Sequence, residues 1–284
     1  MTNKRVALVT GSATGIGVQT ALTLAARGHD VVVNYREDAN KAHDVVRRVQ
    51  AFGVRSIAVQ ADVSKESDCE RMVKEVVTQL GPIDILVNNA GPYIFDHKPL
   101  VNHSTEDWRR MLDGNLSSVF YLCRLTLPMM RKRHFGRIVT FGFASASGAA
   151  GWYGRSAYAA AKVGLVSLTR TLAQEEAQYG ITANMVCPGD VRGEHKDMTI
   201  DAATSQEQIF NAANAANAAN AAQAHDVAVH NNGYTGDGAG SSRRPGVGED
   251  VARVVAFLCD ELSDYVSGSV IEAGGGLTLD QIQT

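Results

Sequence analysis

Short apolar segments alternate with longer mixed segments through residues 6–91, and this alternation restricts the possible folds more than any other feature of the chain. Continuous apolar segments of this length are typical of strands that are buried on both faces of a parallel sheet. Strands that alternate with helices predict right-handed crossovers and a doubly wound sheet. We therefore predict an α/β fold with helices on both faces of a parallel sheet. Its first four strands are predicted at Val6–Val9, Val31–Tyr35, Ser56–Gln60 and Ile83–Val87.

A glycine-rich turn lies between the first predicted strand and a predicted helix over Val18–Arg27. Its sequence is Thr10-Gly11-Ser12-Ala13-Thr14-Gly15-Ile16-Gly17, with the spacing G-x-x-x-G-x-G. Glycines let the backbone approach a pyrophosphate, and the N–H groups at the start of a helix stabilise its charge. A tight strand-to-helix connection without a ligand has the same composition. The strand before the turn and the helix after it favour a nucleotide-binding, Rossmann-like sheet.

The rest of the chain continues the pattern and brings the predicted sheet to about seven strands. Ser104 and Asp107 resemble a capping box that opens a long helix to about Arg133. Ser64 is expected to cap the helix that runs to Leu80. The remaining predicted elements are a strand over Arg137–Phe141, a helix from Tyr158 to about Tyr179, a strand over Ile181–Val186, a helix over Gly248–Cys259 and a strand over Ser269–Glu272.

Several polar or glycine-containing segments directly follow predicted strands. In an open α/β sheet, ligands bind outside the carboxyl ends of the strands. We therefore expect these segments to meet in one crevice. They are Gly11–Gly17, Asp62, Asn89–Gly91, Ser145 and Pro188-Gly189.

Tyr158 and Lys162 lie four residues apart in the alanine-rich run Ser156–Lys162. In a helix they project from the same face, one turn apart. A phenol has a pKa of about 10 in water, and a nearby cation favours the phenolate. The spacing is consistent with a general acid–base pair, although such pairs also occur on helix surfaces without any chemical role.

Composition excludes several other classes of function. The net charge of −3 and the pI of about 6.2 provide no basic excess for a nucleic acid or an anionic membrane surface. No apolar run has the length of a membrane span, so we expect a cytoplasmic protein. The histidines lack metal-ligand spacing, and no metal site is expected. The four cysteines are scattered and are predicted to be buried thiols: Cys69, Cys123, Cys187 and Cys259.

The length predicts one domain over residues 1–284. Residues 199–245 have a different character, because they contain an Asn-Ala-Ala repeat over 211–222 followed by Gly- and Ser-rich sequence. Low complexity of this kind is typical of flexible or marginally helical segments. Its position after the sixth strand suits an insertion that acts as a lid over the crevice.

In combination, these motifs closely resemble the short-chain dehydrogenase/reductase family, in the size class of the 3-oxoacyl-carrier-protein reductases. The resemblance covers about residues 5–198 and 245–276 and leaves the repeat region uncovered. Its motifs are the Thr10–Gly17 turn, Asp62-Val63, Asn88-Asn89-Ala90-Gly91, Asn115, Tyr158 with Lys162, and Pro188-Gly189.

The resemblance implies a role for each catalytic residue. Tyr158 passes a proton to a carbonyl oxygen while a nicotinamide delivers hydride to the carbonyl carbon. Lys162 lowers the pKa of Tyr158 and binds the nicotinamide ribose, and Asn115 holds a water molecule in a proton relay. Ser145 orients the carbonyl, with Ser147 as an alternative because the loop differs from the family pattern by two residues.

The end of the second strand indicates which cofactor is used. Relatives that use NAD carry an acid there, whereas an NADP site needs a cation. Here Tyr35 and Arg36 occupy the position, with Ser12 nearby, so NADP(H) is favoured over NAD(H). Glu37 and Asp38 are expected to point to solvent. The expected cofactor-binding residues are Gly11, Ser12, Thr14, Gly15, Ile16, Gly17, Tyr35, Arg36, Asp62, Val63, Asn89, Ala90, Gly91, Tyr158, Lys162, Pro188, Gly189 and Val191.

One departure from the family pattern follows Pro188-Gly189, where relatives often carry a threonine that bonds the nicotinamide amide. This chain reads Asp190-Val191-Arg192-Gly193-Glu194, and we expect the main chain of Val191 to replace part of that contact.

The sequence thus predicts an NADP(H)-dependent oxidoreductase that interconverts a ketone or aldehyde and an alcohol. The alternative is a nucleotide-binding scaffold or sensor that keeps the fold without catalysis. Apolar residues on the helices over Trp108–Met130 and Tyr158–Leu172 predict a homo-oligomer, with a homotetramer favoured. The sequence does not identify the carbonyl substrate. An apolar mouth is suggested by Trp152, Tyr153, Phe143, Phe95 and Met185.

Overall fold

Seven parallel strands form one sheet in the computed structural model, which describes residues 4–93, 96–191, 193–202, 204–205 and 246–276. Within these residues the strand order is β3-β2-β1-β4-β5-β6-β7. The predicted α/β class and the parallel, doubly wound sheet are confirmed. The strands are β1 (Val6–Val9), β2 (Asp30–Tyr35), β3 (Ser56–Gln60), β4 (Ile85–Asn88), β5 (Gly136–Phe141), β6 (Ile181–Pro188) and β7 (Val270–Ala273).

Helices pack on both faces of the sheet because each strand is apolar on both sides. One core cluster lies on the α1, α2 and α7 face, and the other on the face covered by α3 to α6. The strand order reverses between β1 and β4, which opens a crevice at the carboxyl ends of these strands. The helices are α1 (Ile16–Ala26), α2 (Ala39–Gln50), α3 (Glu66–Gln79), α4 (Thr105–Leu112), α5 (Ser118–Arg133), α6 (Ser156–Glu176) and α7 (Gly248–Cys259).

The long helix expected after Ser104 is interrupted by a π-helical turn over Asp113–Ser117, which separates α4 from α5. The capping box is confirmed, because the Ser104 hydroxyl accepts from the Asp107 N–H and the Asp107 carboxylate accepts from the Ser104 N–H. Turns of this type are frequent at functional sites, and this one contains Asn115.

The expected cap at Ser64 is wrong. The Ser64 N–H and hydroxyl both donate to Oδ1 of Asp62, at 3.1 and 2.7 Å, and Lys65 occupies the N-cap position of α3. A carboxylate is a stronger acceptor than a hydroxyl, so Asp62 draws the serine away from the helix. In the first turn of α3, Asp68 accepts from the Asp62 N–H at 2.9 Å.

All four cysteines are buried and unpaired, as predicted. Burial raises the pKa of each thiol to about 12. No helix in the described part of the chain combines the length and the hydropathy that a membrane span requires. The Asn-Ala-Ala repeat, most of the expected lid, Phe95 and Arg192 lie outside the described residues.

Candidate active site

The glycine turn after β1 is held by two asparagines, one on β2 and one directly after β4. Oδ1 of Asn34 accepts from the Gly11 N–H at 3.0 Å, and Nδ2 of Asn89 donates to the carbonyls of Thr10 and Gly11 at 2.8 and 3.1 Å. Gly11 has a φ of 60°, a conformation that favours glycine. A Cβ atom at Gly17 would lie only 2.7 Å from the Gly11 carbonyl oxygen. The turn therefore depends on its glycines.

The N-terminus of α1 carries no side-chain cap at Gly15 and no acidic residue in its first turn. The helix dipole and the N–H groups of that turn consequently favour an anion. Together with the tight turn, this arrangement fits the diphosphate of a nicotinamide dinucleotide. Thr14, another expected contact, is exposed beside it.

Asn34, which was not among the residues expected from the sequence, bonds the glycine turn. It is buried on β2, and its Nδ2 atom also donates to the carbonyls of Val59 and Ala61 at 3.3 and 3.1 Å. It therefore links the glycine turn to both β2 and β3. In the sequence, Asn34 could have been identified as a polar amide that directly follows the apolar run Val31–Val33.

Ser12 does not meet the expectation of a 2′-phosphate contact. Its side chain is fully buried, and its hydroxyl donates to the Val9 carbonyl at 2.7 Å. The turn folds this hydroxyl back onto β1, because a buried hydroxyl needs a partner.

A polar pocket of about 620 Å³ lies beyond the ends of β2 and β3. Arg36 is exposed there and pairs with Glu37, with 2.7 Å between Nη2 and Oε1. Glu37 is thus exposed as expected, but it also lines the pocket. Asp38 caps α2 by accepting from the Lys41 N–H at 3.0 Å. The full lining is Arg36, Glu37, Gln60, Asp62, Lys65, Asp68 and Arg71, of which Lys65 and Arg71 were not anticipated.

Tyr158 is buried near the start of α6 among three aromatic rings. Its ring centroid lies 5.2 Å from that of Tyr93, 6.0 Å from Trp152 and 6.2 Å from Phe143. Burial raises the pKa of the phenol, while the Arg155 guanidinium lowers it in part. In this environment the phenol is held in its protonated form.

Lys162 lies one turn further along α6 and is also buried. Its Nζ atom donates to the Phe141 carbonyl at the end of β5, at 2.8 Å, and lies 5.7 Å from the Tyr158 ring centroid. Burial lowers the pKa of Lys162 to about 8. Desolvation is the largest influence on both groups, and a lowering of the Tyr158 pKa by Lys162 stays a prediction.

Asn115 is buried in the π-helical turn. Its Nδ2 atom donates to the carbonyls of Pro92 and Met111, at 3.0 and 3.1 Å. Its Oδ1 atom has no hydrogen-bond partner among the described residues. A buried amide oxygen of this kind is well suited to accept from a water molecule.

Ser145 follows β5 in the left-handed region, with a φ of 68°. Its N–H donates to Oε1 of Glu272 on β7 at 3.1 Å. Ser147 is exposed in the short turn over Ala146–Gly148. Ser145 is half-buried and joined to the sheet through β7, so it remains the predicted carbonyl-orienting serine.

The segment after β6 passes very close to the end of β7. The Gly189 N–H donates to the Ala273 carbonyl at 3.1 Å, and a Cβ at Gly189 would lie 2.4 Å from the Gly274 Cα. The Val191 N–H donates to the Gly189 carbonyl at 3.0 Å. The Val191 N–H is therefore already engaged, and a contact between the Val191 main chain and the nicotinamide amide stays a prediction.

The suggested apolar mouth stays a prediction. Of its residues, Phe143 and Trp152 pack around Tyr158, and Tyr153 is exposed. Met185 is fully buried in β6 and belongs to the core. The ends of β1, β4, β5 and β6 thus bring the predicted catalytic and glycine-turn residues to one edge of the sheet.

Comparison with known proteins gives consistent matches over almost the whole chain. Residues 5–204 match the family model described as short chain dehydrogenase. The chain is 43% identical over 275 residues to a Bacillus subtilis protein, YtkK, that is named as an oxidoreductase, with 97% of each chain covered. It is 35% identical over 273 residues to the 3-oxoacyl-(acyl-carrier-protein) reductase FabG of Staphylococcus epidermidis, covering 95% of this chain and 98% of the other. A solved Bacillus thuringiensis structure described as a 3-oxoacyl-reductase has a TM-score of 0.82 at 41% identity, covering 97% of this chain and 99% of that one.

Proposed function

Because the chain belongs to the short-chain dehydrogenase family, as its motifs indicated, we propose that it is an NADP(H)-dependent oxidoreductase that interconverts a ketone or aldehyde and an alcohol. One observation carries the proposal: Tyr158 and Lys162 are both buried on α6 at the sheet edge that also carries the glycine turn. The name of the Staphylococcus epidermidis relative favours a 3-oxoacyl thioester as the first substrate to test.

In the proposed reaction, Tyr158 and Lys162 have different roles. A bound nicotinamide supplies the hydride in reduction and accepts it in oxidation. Tyr158 gives its proton to the carbonyl oxygen in reduction and takes it back in oxidation. Lys162 uses one of its three donors on Phe141, which leaves two for the ribose hydroxyls.

Two further residues support Tyr158. Ser145 orients the carbonyl from the loop after β5, where the Glu272 carboxylate holds its backbone. Asn115 provides the buried Oδ1 atom that can accept from a water molecule and so connect the relay to solvent.

The first test replaces Tyr158 with Phe. NADPH oxidation is followed with acetoacetyl-CoA, a soluble 3-oxoacyl thioester, and with a panel of simple ketones. We expect turnover to fall by about 10²- to 10⁴-fold, because proton transfer by a positioned side chain contributes this much. NADPH binding, measured by fluorescence, should be retained in the variant. Undiminished turnover in the variant would contradict the role of Tyr158, and NADPH binding without turnover in the wild type would favour the scaffold alternative.

The preference for NADP(H) is tested at Arg36. We expect Arg36→Ala to weaken NADPH binding by about tenfold or more and to leave NADH binding nearly unchanged, because a charged hydrogen bond to the 2′-phosphate contributes roughly 1.5–3 kcal/mol. Arg48→Ala, on the exposed side of α2, is the control. An equal loss of affinity for NADPH and NADH would show that Arg36 does not bind the 2′-phosphate.

A further inference from the structure

Arg155, the residue before α6, is a buried cation that the proposed reaction does not yet use. Its side chain is 8% exposed, and its guanidinium carbon lies 4.7 Å from the ring centroid of Tyr93 and 4.6 Å from that of Trp152. An arginine between two aromatic faces is favoured by cation–π attraction, which is strongest where water is excluded. The guanidinium is therefore held in place by the two rings.

The same two rings line Tyr158. The ring centroids of Tyr93 and Trp152 are 5.2 and 6.0 Å from that of Tyr158. At the start of α6, the Ala159 N–H donates to the Arg155 carbonyl at 2.9 Å. The helix that carries the phenol thus begins at the clamped arginine.

Other titratable groups that face the phenol do not favour its ionisation. Tyr93, from the segment after β4, and Cys187, from β6, both raise the pKa of Tyr158. Lys162 donates to Phe141, and its pKa of about 8 means that it loses its charge in the alkaline range. A guanidinium stays protonated throughout this range, and Arg155 lowers the pKa of the phenol.

We propose that Arg155 acts through Tyr158 as a positioning residue: its guanidinium, held against Tyr93 and Trp152, the two rings that also line Tyr158, keeps a permanent positive charge in this cluster and favours the phenolate. The inference rests on the proposed role of Tyr158 in proton transfer. In this proposal the two cations have different roles. Lys162 binds the ribose, and Arg155 provides a positive charge that does not titrate.

The first experiment measures oxidation of 3-hydroxybutyryl-CoA from about pH 6 to about pH 11 at saturating NADP⁺, whose positively charged nicotinamide lowers the pKa of Tyr158 from its raised value in the free site. The rate rises as the phenolate forms, so the midpoint of kcat/KM reports the ionisation of Tyr158. Arg155→Gln removes the charge, and we expect the midpoint to move up by about one pH unit. Arg155→Lys keeps a cation and should bring the midpoint most of the way back to the wild-type value. A merely structural role would lower kcat/KM by the same factor at every pH, and an unmoved midpoint in Arg155→Gln overturns the proposal.

A second readout does not depend on turnover. The protein is labelled with 3,5-difluorotyrosine, whose fluorines make the phenol more acidic, and the Tyr158 signal is assigned by ¹⁹F NMR from its loss in Tyr158→Phe. The titration midpoint of that signal should be about one unit higher in Arg155→Gln than in the wild type. If Arg155→Gln does not fold, Arg155→Met replaces it, because the apolar stem still packs between the rings. Equal midpoints overturn the proposal, whereas a shifted midpoint without turnover of any substrate supports Arg155 and contradicts the proposed function instead.

Discussion

Ionisation of Tyr158 and protonation of Lys162 are both opposed by burial. The pKa of the phenol is raised and that of the ammonium is lowered to about 8, each mainly by loss of hydration. Burial therefore disfavours the charged form of both groups, although Lys162 still keeps its proton below about pH 8. A bound dinucleotide that offers hydroxyl partners to Lys162 would favour the ammonium again, so the charge of the site is coupled to cofactor binding.

This burial predicts a stability effect at Lys162. The folded-state pKa of about 8 lies below the unfolded value of 10.5, so the unfolded state binds more protons between these pH values. Below about pH 8 the buried ammonium destabilises the fold, and the free energy of unfolding rises as the pH increases towards about 10.5. Lys162→Met should therefore raise the free energy of unfolding at neutral pH by on the order of 1–3 kcal/mol while abolishing turnover.

Urea unfolding of the wild type and Lys162→Met at several pH values measures this effect. The gain in the free energy of unfolding of Lys162→Met over the wild type should vanish above about pH 10.5, where the wild-type lysine is neutral in both the folded and the unfolded state. Lys162→Arg, which keeps a permanent charge, is the control and should be no more stable than the wild type. A gain that does not change with pH would show that packing, and not charge, is responsible.

At the scale of elements, the turn between β1 and α1 is held from two sides. Asn34 on β2 and Asn89 after β4 bond its backbone, and the Thr10 hydroxyl accepts from the N–H groups of Asn89 and Ala90 at 3.0 Å. Each of these contacts spans strands that are neighbours in the sheet. The sequence predicted the turn from its glycines, whereas the asparagine contacts depend on strand order.

We expect Gly17→Ala to weaken NADPH binding by tenfold or more, because a Cβ there would lie 2.7 Å from the Gly11 carbonyl oxygen and 2.8 Å from the Ser12 Cα. The turn would have to open, and the N–H groups would leave the diphosphate. Gly151→Ala is the matched control, since its added Cβ would contact nothing within 4 Å. Isothermal titration with NADPH measures both variants, and equal affinities would contradict this account of the turn.

The π-helical turn between α4 and α5 was not predictable from local sequence. A Cβ at Gly114 would lie 2.3 Å from Cδ of Pro92, so this glycine permits a close approach by the chain after β4. That approach places the Pro92 carbonyl against Nδ2 of Asn115. The helical propensity of the segment says nothing about a contact with Pro92, which lies 22 residues earlier than Gly114.

At the scale of the whole molecule, the homotetramer remains a prediction. Trp108 on α4 and Phe120 on α5 are 39% and 50% exposed, and Ala160 on α6 is exposed. These helices also carry the partly buried apolar residues Val163 and Leu168. Such surfaces are typical of helices that are covered by another subunit.

Light scattering should therefore give a mass near four times 30.3 kDa. Phe120→Glu places a charge on the predicted interface and should lower the mass while the circular dichroism spectrum stays unchanged. Phe52→Glu, at a residue of similar exposure beyond α2, is the control. A monomeric mass for the wild type would refute the prediction.

The sequence by itself determined the fold class, the glycine turn and the Tyr158–Lys162 spacing, because strand burial, backbone freedom and helical periodicity are local properties. Tertiary structure decided the charge environment. It buried Tyr158 and Lys162 together, turned the Ser12 hydroxyl onto Val9 and placed Arg155 between two rings. These features depend on which distant segments meet at the sheet edge, and hydration is lost only when those segments pack.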